Sequence, residues 1–140
     1  MKKTAVLIDT NIVLDILEKR EPFYELSNEV LLCCASKKIT GYIALHSISN
    51  IFYILRKHYS AGDRRRLILG ILDFLQVANA KHENVRYALE RNDFPNFEDC
   101  LQVECALENH VDYIITRNTD DFKNSSISTL TPADFLQKHQ

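Results

Sequence analysis

The stretch Thr4-Ala5-Val6-Leu7-Ile8-Asp9-Thr10-Asn11 decides the fold. Residues 4–8 form a short, largely apolar run of the kind that is buried on both faces of a parallel sheet. The run ends in a carboxylate at Asp9, with an amide following at Asn11. Ile12, Val13, Ile16 and Leu17 then repeat at helical spacing, and Pro22 ends the segment. Ligands of open α/β sheets bind beyond the carboxyl ends of the strands. The spacing therefore predicts Asp9 at the mouth of a cleft rather than in the core.

Working outward, Phe23, Leu26, Val30, Cys33 and Cys34 mark a second helix, and Gly41 opens a strand at 42–45. Ile48, Ile51, Phe52 and Leu55 predict a helix over 47–58. Leu67, Ile68, Ile71, Leu72 and Leu75 predict another, with a short strand at 76–79. Val85, Ala88 and Leu89 mark a helix that stops before Pro95, and Glu98 to Asn109 reads as the next. Tyr113 to Thr116 is a strand, followed by a loop at 117–126 and a strand at 127–130. Thr131, Pro132 and Asp134 have the pattern of an N-cap, a first-turn proline and an acidic third position, opening a terminal helix. Strands alternating with helices predict a three-layer α/β/α sandwich around a mostly parallel central sheet, with residues 1–140 as a single α/β domain.

Composition is that of an ordinary globular protein: 46% hydrophobic and 26% charged, with only 3 Gly and 3 Pro to make linkers. A net charge of −2 excludes a globally basic nucleic-acid binder but leaves room for a local basic groove. The 4 Cys lack zinc-like spacing and sit in apolar helical patterns, as reduced core thiols do. Asp9, Asn11 and Asp15 interrupt the apolar run after Lys2-Lys3, which argues against a signal peptide. No apolar stretch approaches the ~20 residues that span a bilayer. The expectation is a cytoplasmic protein with no membrane contact.

Three segments could carry chemistry. Asp9 and Asn11 lie at the first strand's end, although Asp9 is also a good helix N-cap. Asp15, within the first helix, reads as a solvated residue. Asp99 follows Phe97-Glu98 just after Pro95, where the helix dipole alone would favour acids. Thr116-Arg117-Asn118-Thr119-Asp120-Asp121 again follows a strand. Carboxylates gathered from distant segments point to a divalent metal, because hard cations select oxygen ligands. Residues 56–66 hold five basic side chains (Arg56, Lys57, Arg64, Arg65 and Arg66) against Asp63 alone, with His58 and Tyr59 beside them. Such a cluster suits phosphate contact, and so does Arg117 beside the acidic loop.

This arrangement resembles the PIN-domain family, which includes the VapC-type ribonuclease toxins of toxin–antitoxin pairs. Asp9-Thr10-Asn11-Ile12-Val13-Leu14-Asp15 resembles the opening motif, Phe97-Glu98-Asp99-Cys100 the central acidic motif, and Tyr113 to Asn118 with Asp121-Phe122 the closing motif. Two places depart from the common pattern. Asn50 stands where many members have Glu, and Asn118 where many have Asp, with Asp121 as the candidate replacement acid. The resemblance implies Mg²⁺- or Mn²⁺-assisted hydrolysis of RNA phosphodiesters. In that reading Asp9, Asp99 and Asp121 are metal ligands, Asn118 completes the catalytic set, and Asn11, Asn50, Thr116 and Glu98 support it. Arg117, Arg56 and Lys57 would contact RNA phosphates. An antitoxin partner and a homodimer are also implied.

Two other readings compete. A non-catalytic RNA- or partner-binding module would explain Asn50 and Asn118 as an eroded metal site. A haloacid-dehalogenase-type phosphohydrolase would use Asp9 as nucleophile, but Asn11 replaces its second Asp. His46-Ser47 gives no nucleophile–base pair, since adjacent residues rarely face each other.

Overall fold

A computed structural model describes residues 2–139. The central strand β1 (Ala5–Ile8) is buried along its whole length. Around it lie β2 (Thr40–Ala44), β3 (Leu75–Ala78), β4 (Tyr113–Ile115) and β5 (Ser128–Leu130), in the order β3-β2-β1-β4-β5. Every neighbouring pair is parallel. Parallel strands need crossovers, and the helices supply them: α1 (Thr10–Leu17), α2 (Tyr24–Ala35), α3 (Leu45–Ile54), α4 (Ala61–Leu72), α5 (His82–Glu90), α6 (Phe97–Glu108) and α7 (Pro132–Lys138).

Alternation along the strands sorts the core into two layers. Val6, Ile8, Ile43, Leu75 and Ile115 join residues of α1, α2, α3, α4 and α7 on one face. Leu7, Ala44, Ala78 and Ile114 join Val103, Cys105 and Ala106 of α6 on the other. The result is the three-layer α/β/α sandwich that the sequence predicts. Strand order reverses at β1: the chain first builds outward through β2 and β3, then returns to β4 on the opposite side. Such a switch point opens a crevice at the carboxyl ends of the strands.

Local chemistry accounts for several details. The terminal helix opens as predicted, with Thr131 Oγ1 accepting from the Asp134 amide at 3.1 Å and Pro132 in the first turn. Gly41 lets α2 sit directly on β2, because a Cβ there would lie 2.5 Å from Cys34 Sγ and 2.6 Å from Leu75 Cδ2. Cys34, Cys100 and Cys105 are buried and Cys33 is partly so, all as free thiols. Burial pushes the Cys34 thiol up to about 12 and the Cys105 thiol up to about 11, which fits inert core groups.

Element boundaries differ from expectation in several places, among them the helix expected over 47–58, which ends at Ile54 and passes into a 3₁₀ turn. Leu75 continues the apolar spacing of the preceding helix, yet α4 ends at Leu72 and Leu75 pairs with Gly41 in the sheet. Leu45 begins α3 instead of ending β2. The loop after β4 contains a turn of 3₁₀ helix at Thr119–Phe122. Among the described residues, no helix is long and apolar enough to cross a membrane.

Candidate functional site

Asp9 occupies the N-cap position of α1, but its side chain does not cap the helix. It turns instead toward β4 and α6. Its Oδ1 accepts from Gln102 Nε2 at 2.9 Å, and its Oδ2 accepts from Thr116 Oγ1 at 2.8 Å. Asp9 is only 4% exposed, so these two donors set the direction of a nearly buried carboxylate. The strands hold the same register, with the Asp9 amide donating to the Ile115 carbonyl at 2.9 Å. Thr116 Oγ1 also accepts from the Asn118 amide at 3.1 Å, which ties the closing loop to Asp9 through one hydroxyl.

Above Asp9 lies a cleft of 330 Å³. Asp9, Asn11, Asn50, Glu98, Asp99, Asn118 and Asp121, all singled out from sequence, line it together. They arrive from the end of β1, α1, α3, α6 and the loop after β4. Asp99 is half-buried in the first turn of α6. Desolvation raises its carboxyl to about 6, and the like charges of Asp9, Asp121 and Glu98 add to the rise against a lowering contact from Asn96.

The donor set tests whether a metal suits this place. The carboxylates of Asp9, Asp99 and Asp121, with amides from Asn11, Asn50 and Asn118, offer oxygen and no thiolate or imidazole. That chemistry fits a hard divalent cation. Among the described residues, however, no three His, Cys, Asp or Glu side chains form a group that could hold a metal by themselves. The fit is therefore to an ion that keeps several waters, as Mg²⁺ does.

Arg117 points elsewhere. Its guanidinium forms a two-point ion pair with Asp15, Nε to Oδ2 at 2.7 Å and Nη2 to Oδ1 at 3.1 Å, and lies 3.9 Å from the centroid of Phe23. Asp15 is wholly buried, so the expectation of a solvated helix residue is corrected: its charge is held inside by Arg117. Arg56 and Lys57 do not line the cleft; they lie in the 3₁₀ turn after α3 and are exposed. His46 Nε2 contacts the Glu98 carbonyl at 3.2 Å, while buried Ser47 Oγ accepts from Thr10 Oγ1 at 2.7 Å. The two side chains thus make separate contacts and form no relay.

Sequence reasoning missed Gln102, as it missed Tyr53, Ile54 and Asn96 on the cleft wall. Gln102 is 2% exposed, it lines the cleft, and its Oε1 has no hydrogen-bond partner among the described residues. A signal was present: an amide three residues after Asp99, among Cys100, Val103, Cys105 and Ala106 on a buried helix. A polar side chain on such a face needs a partner, and here the partner is Asp9.

A family profile described as a PIN domain matches residues 5–120. The chain is 23% identical over 141 residues to Ribonuclease VapC1 of Aquifex aeolicus (strain VF5), covering 99% of this chain and 97% of that protein. Its fold is similar to that of a chain in the DNA-bound VapBC structure from Salmonella typhimurium, at a TM-score of 0.68 and 17% identity over 92% of this chain and 98% of the other. A toxin–antitoxin complex from Klebsiella pneumoniae gives 0.67 and 21% identity, over 91% of this chain and 97% of the other. With the profile spanning β1 to the loop that carries Asn118, the chain belongs to the PIN domain family.

Proposed function

We propose that this protein is a divalent-metal-dependent endoribonuclease and the toxin of a toxin–antitoxin pair. The observation that carries the proposal is the meeting of Asp9, Asp99 and Asp121, from three distant segments, in one oxygen-lined cleft. Burial first, and then the like charges of Asp9 and Asp121, raise the carboxyl of Asp99, and a bound cation would relieve both. Asp9, Asp99 and Asp121 would hold Mg²⁺ or Mn²⁺, which when bound polarises a phosphodiester and makes a water acidic enough to attack it.

The chain's own groups do the rest. Gln102 and Thr116 fix the Asp9 carboxylate in one orientation. Asn11, Asn50 and Asn118 present amides to the cleft, where they orient water and phosphate oxygens. Exposed Arg56 and Lys57 supply positive charge for the strand beyond the scissile phosphate. The relatives support the partner: one is named a ribonuclease, and similar folds occur in toxin–antitoxin complexes. A homodimer belongs to the same proposal.

The test is cleavage of a mixed RNA pool by purified protein freed of any co-purifying partner, in Mg²⁺, Mn²⁺ or chelator, with Asp9→Asn and Asp99→Asn in parallel. Cleavage that needs metal and disappears in both variants is the expected result. The amides at Asn50 and Asn118 favour a second reading, a binding module without catalysis. RNA binding by folded protein with no cleavage in any metal would establish that reading instead.

A further inference from the structure

A second pocket adjoins the carboxylate cleft. It has a volume of 500 Å³ and is lined by Glu18, Arg20, Ile54, Lys57, His58 and Tyr59. Ile54 lines both hollows, so the two are neighbours that share one side chain as a wall. Helical spacing explains the adjacency. Asn50, Tyr53 and Ile54 line the cleft from α3, and Lys57, three residues beyond Ile54, carries the same face onward into the second pocket.

The charges of the two hollows are opposite. The cleft brings four acids, Asp9, Glu98, Asp99 and Asp121. In the second pocket Glu18 is taken up by Arg20 at 2.6 Å, and Lys57 has no ion-pair partner among the described residues. Tyr53 lines the cleft next to Ile54, the residue that both hollows share. Tyr53 is 61% exposed at the cleft wall, with the Arg56 guanidinium 3.6 Å from its ring centroid and Arg56 Nη1 donating to its carbonyl at 2.9 Å. An exposed aromatic braced by arginine beside a free lysine is the pairing that single-stranded nucleic acid uses, a stacking surface for a base and a cation for its phosphate.

We infer that the Tyr53–Ile54–Lys57 track is a binding subsite for the nucleotide next to the scissile phosphate of single-stranded RNA, with its base on Tyr53 and its phosphate on Lys57. The inference rests on the ribonuclease reading for its substrate class and adds a direction, along α3 away from the carboxylates. Single strands suit the track better than duplex, because only an unpaired base offers its face to a side chain.

The test uses the full-length protein bearing Asp99→Asn, so that RNA is not consumed, and a fluorescent unstructured RNA oligonucleotide read by anisotropy over a salt series. Adding Tyr53→Ala weakens binding about tenfold. Adding Lys57→Ala weakens it and makes the salt dependence shallower by about 0.7 in the log–log slope, the mark of one lost phosphate contact on a single strand. Both positions are exposed, and circular dichroism checks that the variants fold. Lys57→Arg should restore the slope, which a merely structural lysine would not do. Unchanged affinity and slope in both variants overturns the subsite, even if the wild-type protein cleaves RNA. Loss of binding through Tyr53 and Lys57 supports the base and phosphate contacts, and absence of cleavage by the wild-type protein would then overturn the nuclease reading and the placement beside a scissile phosphate, not the contacts. Absence of RNA binding in the Asp99→Asn protein overturns the subsite outright.

Discussion

Asp15 and Arg117, 102 residues apart in sequence, form a two-point ion pair at 2.7 and 3.1 Å around a carboxylate with no exposure to solvent. The pair fastens α1 to the segment that places Thr116, Asn118 and Asp121. Arg117 follows the threonine that orients Asp9 and precedes the asparagine whose amide the same threonine accepts. A charge spent on Asp15 is not free to meet a phosphate. Arg117 thus acts on the site by holding its closing loop.

Removing Arg117 leaves Asp15 buried and unpaired. Arg117→Ala should lower unfolding stability by about 3 kcal/mol, measured by urea denaturation. Replacing both partners with apolar side chains, Asp15→Leu with Arg117→Leu, should recover most of that loss, because no buried charge remains. A loss below about 1 kcal/mol for Arg117→Ala, the range of an exposed pair, would show that the pair is not the main role of Arg117.

Gln102 offers a separation of activity from stability. Its amide steers Asp9 Oδ1 while its own Oε1 goes unpaired among the described residues. Gln102→Leu removes the steering donor and also removes the unsatisfied oxygen. If Asp9 holds the metal of the proposed nuclease, cleavage or metal affinity should fall about 10- to 100-fold, the usual loss when a residue supporting a metal ligand is changed. The urea midpoint should stay near that of the wild type. A large fall in the midpoint with proportionate loss of activity would make Gln102 a packing residue only.

The raised carboxyl of Asp99 sets a pH dependence whose sign can be worked out. Its ordinary value is 3.8, and in the folded protein it lies at about 6. Below 3.8 both folded and unfolded chains hold the proton, and there is no penalty. Between the two values the unfolded chain releases it while the folded chain retains it, so rising pH favours unfolding. In chelator, the wild-type protein should therefore lose stability relative to Asp99→Asn from about pH 4 to pH 6, and the gap should stay constant above that. Adding Mg²⁺ at pH 7 should stabilise the wild type more than Asp99→Asn. Parallel pH curves for the two proteins would remove Asp99 from the repelling cluster.

The sequence exposed those parts of the fold that are set locally or by strand position. The buried run at 5–8 and the acids at strand ends and helix starts were legible because sheet topology places such ends on one edge. The Thr131 cap was legible because its partner, Asp134, is three residues away. What escaped depended on distant partners. Asp15 reads as solvated because Arg117 is far off along the chain, and Gln102 draws no reading because Asp9 is 93 residues before it. Leu75 looked helical because its spacing continues that of α4, whereas pairing with Gly41 draws it into the sheet.

Gly41 tests the packing that supports the switch point. Its conformation is not the constraint, since no glycine in the described residues has positive φ. Space is the constraint: a methyl group would meet Cys34 Sγ at 2.5 Å and Leu75 Cδ2 at 2.6 Å, one from the helix above and one from the neighbouring strand. Leu75 can shift its chain end, but Cys34 is short and its Cβ is also close, at 3.3 Å. Gly41→Ala should therefore cost about 1–3 kcal/mol, as overpacking of a filled core does. Adding Cys34→Ala removes the sulfur and should return part of the loss, so the two changes are non-additive. Additive losses in urea denaturation would place the strain against Leu75 alone, and an unchanged midpoint for Gly41→Ala would mean that α2 does not rest on β2 as closely as these distances state.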